Sequence, residues 1–230
     1  MKIKAWIRYV VPETIVALRW RVVNRLKYGS ADHQEIFTKI YQDNEWGDKE
    51  SVSGSGSTIE VTAVFRKELE AWLVAQDIKS FVDIPCGDFN WMKLVKLPPT
   101  MTYYGMDIVP GIIEDNKRKY SCPNVEFHVG DILGDKLRRA DAYLCKDLFI
   151  HFPNKAISEA VENVRASGTR YLLATTFPNT KTNIDIRFGS ARRTNLALIL
   201  GKPQTMLRDF GAGVTDRFIG VWDLQAAPQG

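Results

Sequence analysis

The chain has 230 residues, 45% apolar and 25% charged, a composition that fits one folded domain with an extension and excludes a disordered or low-complexity chain. Its net charge of +4 is uneven: residues 1–30 carry Lys2, Lys4, Arg8, Arg19, Arg21, Arg25 and Lys27 against Glu13 alone, so the remainder is slightly acidic. With no aromatic-basic motif, that distribution argues against nucleic-acid binding. Three cysteines (Cys86, Cys122, Cys145) without ligand spacing suggest a reducing compartment and no metal site.

From the N-terminus, the spacing of Ile15, Leu18, Val22 and Leu26 predicts a helix over Glu13–Lys27, with Trp6, Tyr9 and Trp20 adding aromatic character. Arginines cut every apolar run too short for a signal peptide or a membrane span. Two readings stand: an interfacial helix that touches anionic lipid or a membrane-bound partner, or a helix packed on its own domain with a solvated basic edge. Arg19 interrupts the apolar face and favours the second.

Asp32–Trp46 reads as a further helix, with Ile36, Ile40 and Tyr41 apolar. Gly47–Ser57 is dense in Ser and Gly, and is either a flexible linker or a lid over a bound carboxylate. Val61, Val64, Phe65, Leu69, Trp72 and Leu73 predict a helix over Thr58–Val74.

Phe81–Ile84 has strand character, and Pro85-Cys86-Gly87-Asp88 stops it in a turn that should feed a helix. Strand, Gly-containing turn and helix together bring backbone N–H groups to a ligand, and Gly87 permits close approach. The turn is a poor dinucleotide fingerprint, because bulky Phe89 and anionic Asp88 oppose a pyrophosphate. They suit a ligand with a cationic end and no phosphate, such as S-adenosylmethionine. Asp83 fixes either the turn or the ligand's ammonium group.

Tyr103–Ile108 is the next strand, with Asp107 at its carboxyl end, 20 residues after Gly87. An acidic side chain at that spacing can accept both hydroxyls of a ribose. A short helix over Gly111–Tyr120 and a turn over Tyr120–Asn124 lead to a third strand, Val125–Val129, ending in Gly130-Asp131-Ile132-Leu133. Asp131 is placed to receive the exocyclic amine of adenine. A fourth strand, Ala142–Lys146, ends at Asp147, with His151 four residues on. Imidazole titrates near 6.5, which suits a general base, and either His151 or Asp147 can take that role. His151 can equally satisfy a backbone group or line the pocket.

Asn154–Arg165 is a helix by Ile157, Val161 and Val164, and Tyr171–Thr176 is a fifth strand. Residues 178–204 are too long for an ordinary connector and mark a functional segment. Asn183, Asp185, Arg187, Arg192, Arg193 and Asn195 crowd it; with Trp46 as a stacking face they suit a hydroxyl-rich sugar. Arg187 and Arg192 would equally grip a phosphate or carboxylate, and the bland reading is an ordinary charged surface loop. Thr205–Phe210 and Phe218–Leu224 complete the strands, the last antiparallel. The pattern predicts an α/β fold: a Rossmann-like, seven-stranded, mostly parallel sheet with helices on both faces in residues 58–230, and a helical extension with the Ser/Gly lid loop in residues 1–57. Trp91 reads as core more readily than as a ligand contact, and His33 and His128 read as structural.

DIPCGDFNW, then MDIV, GDIL and KDLFIHF, resemble the ordered motif series of class I S-adenosylmethionine-dependent methyltransferases from Phe65 to the C-terminus. Pro85 and Phe89 stand where glycines are commonest in that series. WGDKESVSGSGS and NIDIRFGSARRTNL resemble a branch found with polysaccharide-assembly enzymes, some of which methylate sugar hydroxyls. The resemblance implies S-adenosyl-L-methionine as cofactor. It implies cofactor contacts from Ser53, Gly54, Ser55, Gly56, Asp83, Pro85, Cys86, Gly87, Asp88, Trp91, Asp107, Ile108, Asp131, Ile132 and Lys146, and substrate contacts from Trp46, Asn183, Asp185, Arg187, Arg192 and Asn195. It also implies a sugar or glycan acceptor; the cysteines and the basic helix suggest a cytoplasmic protein, either free or peripheral at the inner face of the membrane, where that helix would meet lipid or a glycosyltransferase. The other classes to separate are another small-molecule acceptor, a nicotinamide-dependent oxidoreductase and a non-catalytic binding protein.

Overall fold

The computed structural model describes residues 27–209 and 216–226. The basic helix expected over Glu13–Lys27, and Phe210 of the expected sixth strand, lie outside these residues apart from Lys27.

Seven strands form one sheet: β1 (Ser80–Asp83), β2 (Thr102–Asp107), β3 (Val125–Val129), β4 (Ala142–Cys145), β5 (Tyr171–Thr176), β6 (Thr205–Arg208) and β7 (Phe218–Asp223). Their order is β3-β2-β1-β4-β5-β7-β6, parallel except for β7, which runs antiparallel to both neighbours. The expected Rossmann-like topology is thus observed. Between β1 and β4 the winding reverses direction, and at such a switch point the connections part to leave a crevice beyond the strands' carboxyl ends.

Alternation along the strands splits the core in two. Phe81, Tyr103, Phe127, Leu144 and Leu173 face one side, under α2 (Ala63–Ala75) and α3 (Pro110–Tyr120). Val82, Tyr143, Cys145, Leu172 and Ala174 face the other, under α4 (Asn154–Ala166). The central strands β4 and β5 are buried along their whole length, as a parallel sheet covered on both faces requires. α1 (His33–Gln42) begins at a capping box in which Asp32 accepts from the Glu35 backbone and Glu35 returns the bond. It is shorter than the expected Asp32–Trp46, and α2 starts five residues later than expected, after turns over 58–62. A one-turn helix, α5 (Ala197–Leu200), sits in the 178–204 segment.

One expectation fails in a way that matters for function. The described residues between β1 and β2 contain no α-helix, only a 3-10 turn over Met92–Leu94. Phe89 takes a left-handed conformation (φ 57°), which a regular helix does not accommodate, and Leu97-Pro98-Pro99 closes the segment. No helix of the described residues is long and apolar enough to cross a membrane.

Candidate active site

A cleft opens beyond the carboxyl ends of β1, β2, β3 and β4, with about 1010 Å³ of empty space that is partly open to solvent. Its floor comes from strand ends and turns: Ile84 to Asp88, Asp107 to Val109, Gly130 to Ile132, and Lys146 to Leu148. Its cover comes from residues N-terminal to the sheet. His33, Phe37 and Tyr41 lie four apart on α1, so the helix turns one stripe toward the cleft while Ile36 and Ile40 go into the core. Trp46, Val52, Ser53 and Ser57 continue the wall.

The turn after β1 is held from every side. Cys86 donates its backbone N–H to the Met106 carbonyl at 2.8 Å, and Gly87 donates to the Asp107 carboxylate at 3.1 Å. Asp88 N–H goes to the Ser53 hydroxyl at 3.2 Å, and Asn116 donates to the Gly87 carbonyl at 2.7 Å. Gly87 has φ 53°, and a Cβ there would lie 2.1 Å from Ser53 Oγ. The space that glycine frees is therefore filled by the Ser53 hydroxyl rather than left for a ligand. The Asp88 carboxylate likewise serves the protein, accepting from Ser51 Oγ, the Val52 N–H and Ser53 Oγ. It pins the Ser/Gly loop to the turn while Asp88 also lines the cleft floor, where it was expected as a ligand contact.

Two carboxylates face the cleft in other ways. Asp107 accepts from Gly87 and Val109 N–H groups, and burial pushes its pKa up to about 6. Asp131 accepts from the Leu133 N–H at 2.9 Å and pairs with His33 Nε2 at 2.8 Å. His33, expected to be structural, thus belongs to the cleft wall, stacked on Phe188 with ring centroids 5.2 Å apart. Asp83 lies beneath the floor and does not line it. Burial raises its pKa to about 7, Tyr103 donates to its Oδ2 at 2.7 Å, and its Oδ1 finds no hydrogen-bond partner among the described residues.

At the end of β4 the two candidate bases differ. Asp147 is bonded by Lys146 Nζ at 2.8 Å and by the Arg217 guanidinium at 2.6 Å. Burial pushes its pKa up, but Arg217 and Lys146 overcome that and hold it well below the usual carboxylate range. A carboxylate so tied is a weak base, and the geometry removes Asp147 from that role. His151 ends a 3-10 turn over Phe149–His151 and places Nδ1 2.8 Å from the Ser190 carbonyl. A carbonyl only accepts, so Nδ1 carries the proton and Nε2 keeps a lone pair. Nε2 has no hydrogen-bond partner among the described residues, and the ring lines the cleft. Burial lowers the imidazole pKa below 6.5, so the ring is neutral at pH 7. Trp46, 38% exposed, stacks on it at 5.3 Å.

The expected acceptor contacts on 178–204 are placed elsewhere. Asn183 and Asn195 bond each other reciprocally, Asn195 also donates to the Pro178 and Thr180 carbonyls, and Asp185 accepts from the first N–H of α4. Arg192 donates to the Phe152 carbonyl and to Asn154, and burial lowers its pKa to about 10. Arg193 pairs with Asp216, and Arg187 makes a long 3.5 Å contact with the Gly29 carbonyl. None of these six lines the cleft. A long irregular stretch has to satisfy its own polar groups, and these side chains do so. The segment instead supports the cleft wall from behind, with the Ser190 carbonyl on His151 and the Phe188 ring on His33.

Of the other expected cofactor contacts, Pro85, Cys86, Trp91, Ile108, Ile132 and Lys146 line the cleft; Gly54, Ser55 and Gly56 do not. Lys146 donates to the Gly56 carbonyl at 2.9 Å. Among the described residues no cluster of His, Cys, Asp and Glu is arranged to hold a metal ion.

No protein-family profile matches the sequence. No curated protein matches it either. Solved structures do match in shape. Magnesium protoporphyrin IX methyltransferase from Synechocystis PCC 6803, with bound SAM, aligns over 84% of this chain and 97% of its own, with 16% identity and a TM-score of 0.58. PigF with SAH aligns over 91% of this chain and 68% of its own, with 13% identity and a TM-score of 0.65. Human N-acetylserotonin methyltransferase, also with SAM, gives 16% identity and a TM-score of 0.59 over 84% of this chain, which spans 59% of that longer protein. At such identities the likeness is one of fold: a seven-stranded, Rossmann-like methyltransferase fold.

Proposed function

We propose that this chain is an S-adenosylmethionine-dependent methyltransferase whose acceptor is a hydroxyl, in the first instance that of a sugar in a glycan or an activated sugar. The observation that carries the reading is the turn after β1. Its N–H donors at Cys86, Gly87 and Asp88 are all spent on protein groups, and no α-helix follows to offer an open N-terminus. A pyrophosphate finds no cradle there, which disfavours a nicotinamide dinucleotide. The same cleft offers carboxylate acceptors and aromatic rings, a lining suited to a cationic nucleoside. Asp107 would take the ribose hydroxyls and Asp131 the adenine amine, with Ile108 and Ile132 against the base.

When bound, S-adenosylmethionine supplies a methyl group on a sulfonium, already a good leaving group. What remains for the protein is alignment, exclusion of water and removal of a hydroxyl proton. His151 takes that proton at Nε2, with Ser190 fixing the tautomer and stabilising the imidazolium that forms. Trp46, exposed beside His151 at the cleft rim, offers an apolar face for the hydrogen-lined side of a pyranose, and this contact favours a sugar.

The test is transfer of radiolabelled methyl from S-adenosylmethionine into fractionated glycans, followed by linkage analysis. Label on a sugar oxygen is expected. Label only in an amine, carboxylate or phenol fraction would overturn the sugar acceptor while keeping the reaction class, and no label in any fraction would overturn the enzyme reading.

A further inference from the structure

Four charged side chains meet where β4, β6 and β7 approach the cover of the cleft. Arg217, just before β7, spans two carboxylates: Nε lies 2.7 Å from Asp209 Oδ2, and the terminal nitrogen 2.6 Å from Asp147 Oδ2. Lys146 Nζ lies 2.8 Å from the same Asp147 oxygen and 3.9 Å from Asp209 Oδ2. The Lys146 and Asp209 side chains are 4% and 0% exposed, so both charges depend on partners rather than on water. Two cations and two anions leave the group neutral. Thr175 Oγ1 accepts from the Asp147 N–H and donates to its Oδ1, fixing the carboxylate against β5.

The cluster touches the cleft's cover directly. Lys146 donates to the Gly56 carbonyl. A Cβ on Gly56 would lie 3.0 Å from Asp147 Oδ2 and 3.4 Å from the Arg217 guanidinium, so the loop packs on the charges with no side chain between. The other end of the loop is held independently by Asp88 at Ser51, Val52 and Ser53. Neither Asp209 nor Arg217 lines the cleft, and the methyltransferase reading gives them no part.

We propose that Asp209 and Arg217 are positioning residues: through Asp147 and Lys146 they latch the C-terminal half of the 51–57 loop over the cleft, and so set its affinity for the nucleoside. The nature of that ligand rests on the function proposed above; the latch does not. Asp209 holds Arg217 in a carboxylate fork, Arg217 orients Asp147, and Asp147 orients Lys146 toward Gly56. Lysine at 217 keeps the charge but lacks the planar fork needed to reach both carboxylates.

The test compares the parent with Arg217→Lys and Asp209→Asn by hydrogen exchange and by calorimetric titration with S-adenosylhomocysteine. The latch predicts faster exchange in both variants for amides of residues 54–57, by about tenfold, with Val52, β1 and β4 protected as in the parent. It predicts weaker S-adenosylhomocysteine binding by about tenfold, and a loss in turnover that falls on KM for S-adenosylmethionine more than on kcat. Unchanged loop exchange in both variants, or equal loss of protection across β1, β4 and the loop, would overturn it. If the parent binds no S-adenosylhomocysteine, the proposed function falls, while the exchange comparison still decides the latch.

Discussion

His151 gives its Nδ1 proton to the Ser190 carbonyl across 2.8 Å, and this bond determines which imidazole nitrogen is left for chemistry. Ser190 lies in the 178–204 segment, so the proposed base is oriented by a loop 39 residues further along the chain. The following expectations come from that arrangement and from the turn beneath it.

Replacing His151 by Ala or Gln should lower methyl transfer by roughly 10²-fold or more, the usual size of a general-base contribution, while S-adenosylmethionine still binds. In the parent chain the methyl-transfer rate should fall as pH drops through a pKa below 6.5, because burial lowers that pKa and only the neutral ring accepts a proton. A pH–rate profile of parent and variant checks both points. An acid limb that persists in His151→Gln would assign the base elsewhere.

Gly87→Ala should disturb the loop above it more than the sheet below. The new Cβ would overlap Ser53 Oγ, and alanine at φ 53° adds roughly 1–2 kcal/mol of backbone strain. The double variant Gly87→Ala with Ser53→Gly removes the overlap and should recover part of the lost thermal stability. A cycle of melting temperatures measures the coupling, and strict additivity would show that Ser53 does not occupy this space in solution.

Asp83 should make the fold less stable in mild base. Burial raises its pKa to about 7, so between pH 4 and 7 the folded chain holds a proton that the unfolded chain has released. Stability is therefore greatest at the acid end of that window and declines as pH rises through it. Asp107, raised to about 6, works in the same direction. Between pH 5 and 8 the decline should amount to a few kcal/mol, roughly 5–10 °C in Tm, and Asp83→Asn should remove much of it. Melting curves at the two pH values are the check, and an equal decline in Asp83→Asn would place the effect on other groups.

The sheet and its rim were legible because each strand is a short apolar run that ends at a polar residue, and Asp107 falls at the spacing of one crossover. The missing helix after β1 was not, since nothing in Phe89 as a residue type announces a positive φ. On α1, Ile36 and Ile40 gave the core face, but the stripe of His33, Phe37 and Tyr41 also has helical spacing and makes the second, cleft-facing side. Asn183, Asp185, Arg192 and Asn195 misled because polarity alone does not tell a ligand contact from a loop's internal bonds. Arg217 and Asp209 carry no local sign of their tie to Asp147, which arises only when β7 pairs with β5 and β6 with β7.

The sharpest single check is calorimetry of the parent chain and of Asp107→Ala, each titrated with S-adenosylhomocysteine and with NADH. A cleft that holds a phosphate-free adenosine gives binding heat with the first ligand and none with the second, and a loss of at least about tenfold in affinity when Asp107 is removed. Heat with NADH alone, or equal affinity of Asp107→Ala and the parent for S-adenosylhomocysteine, would contradict it.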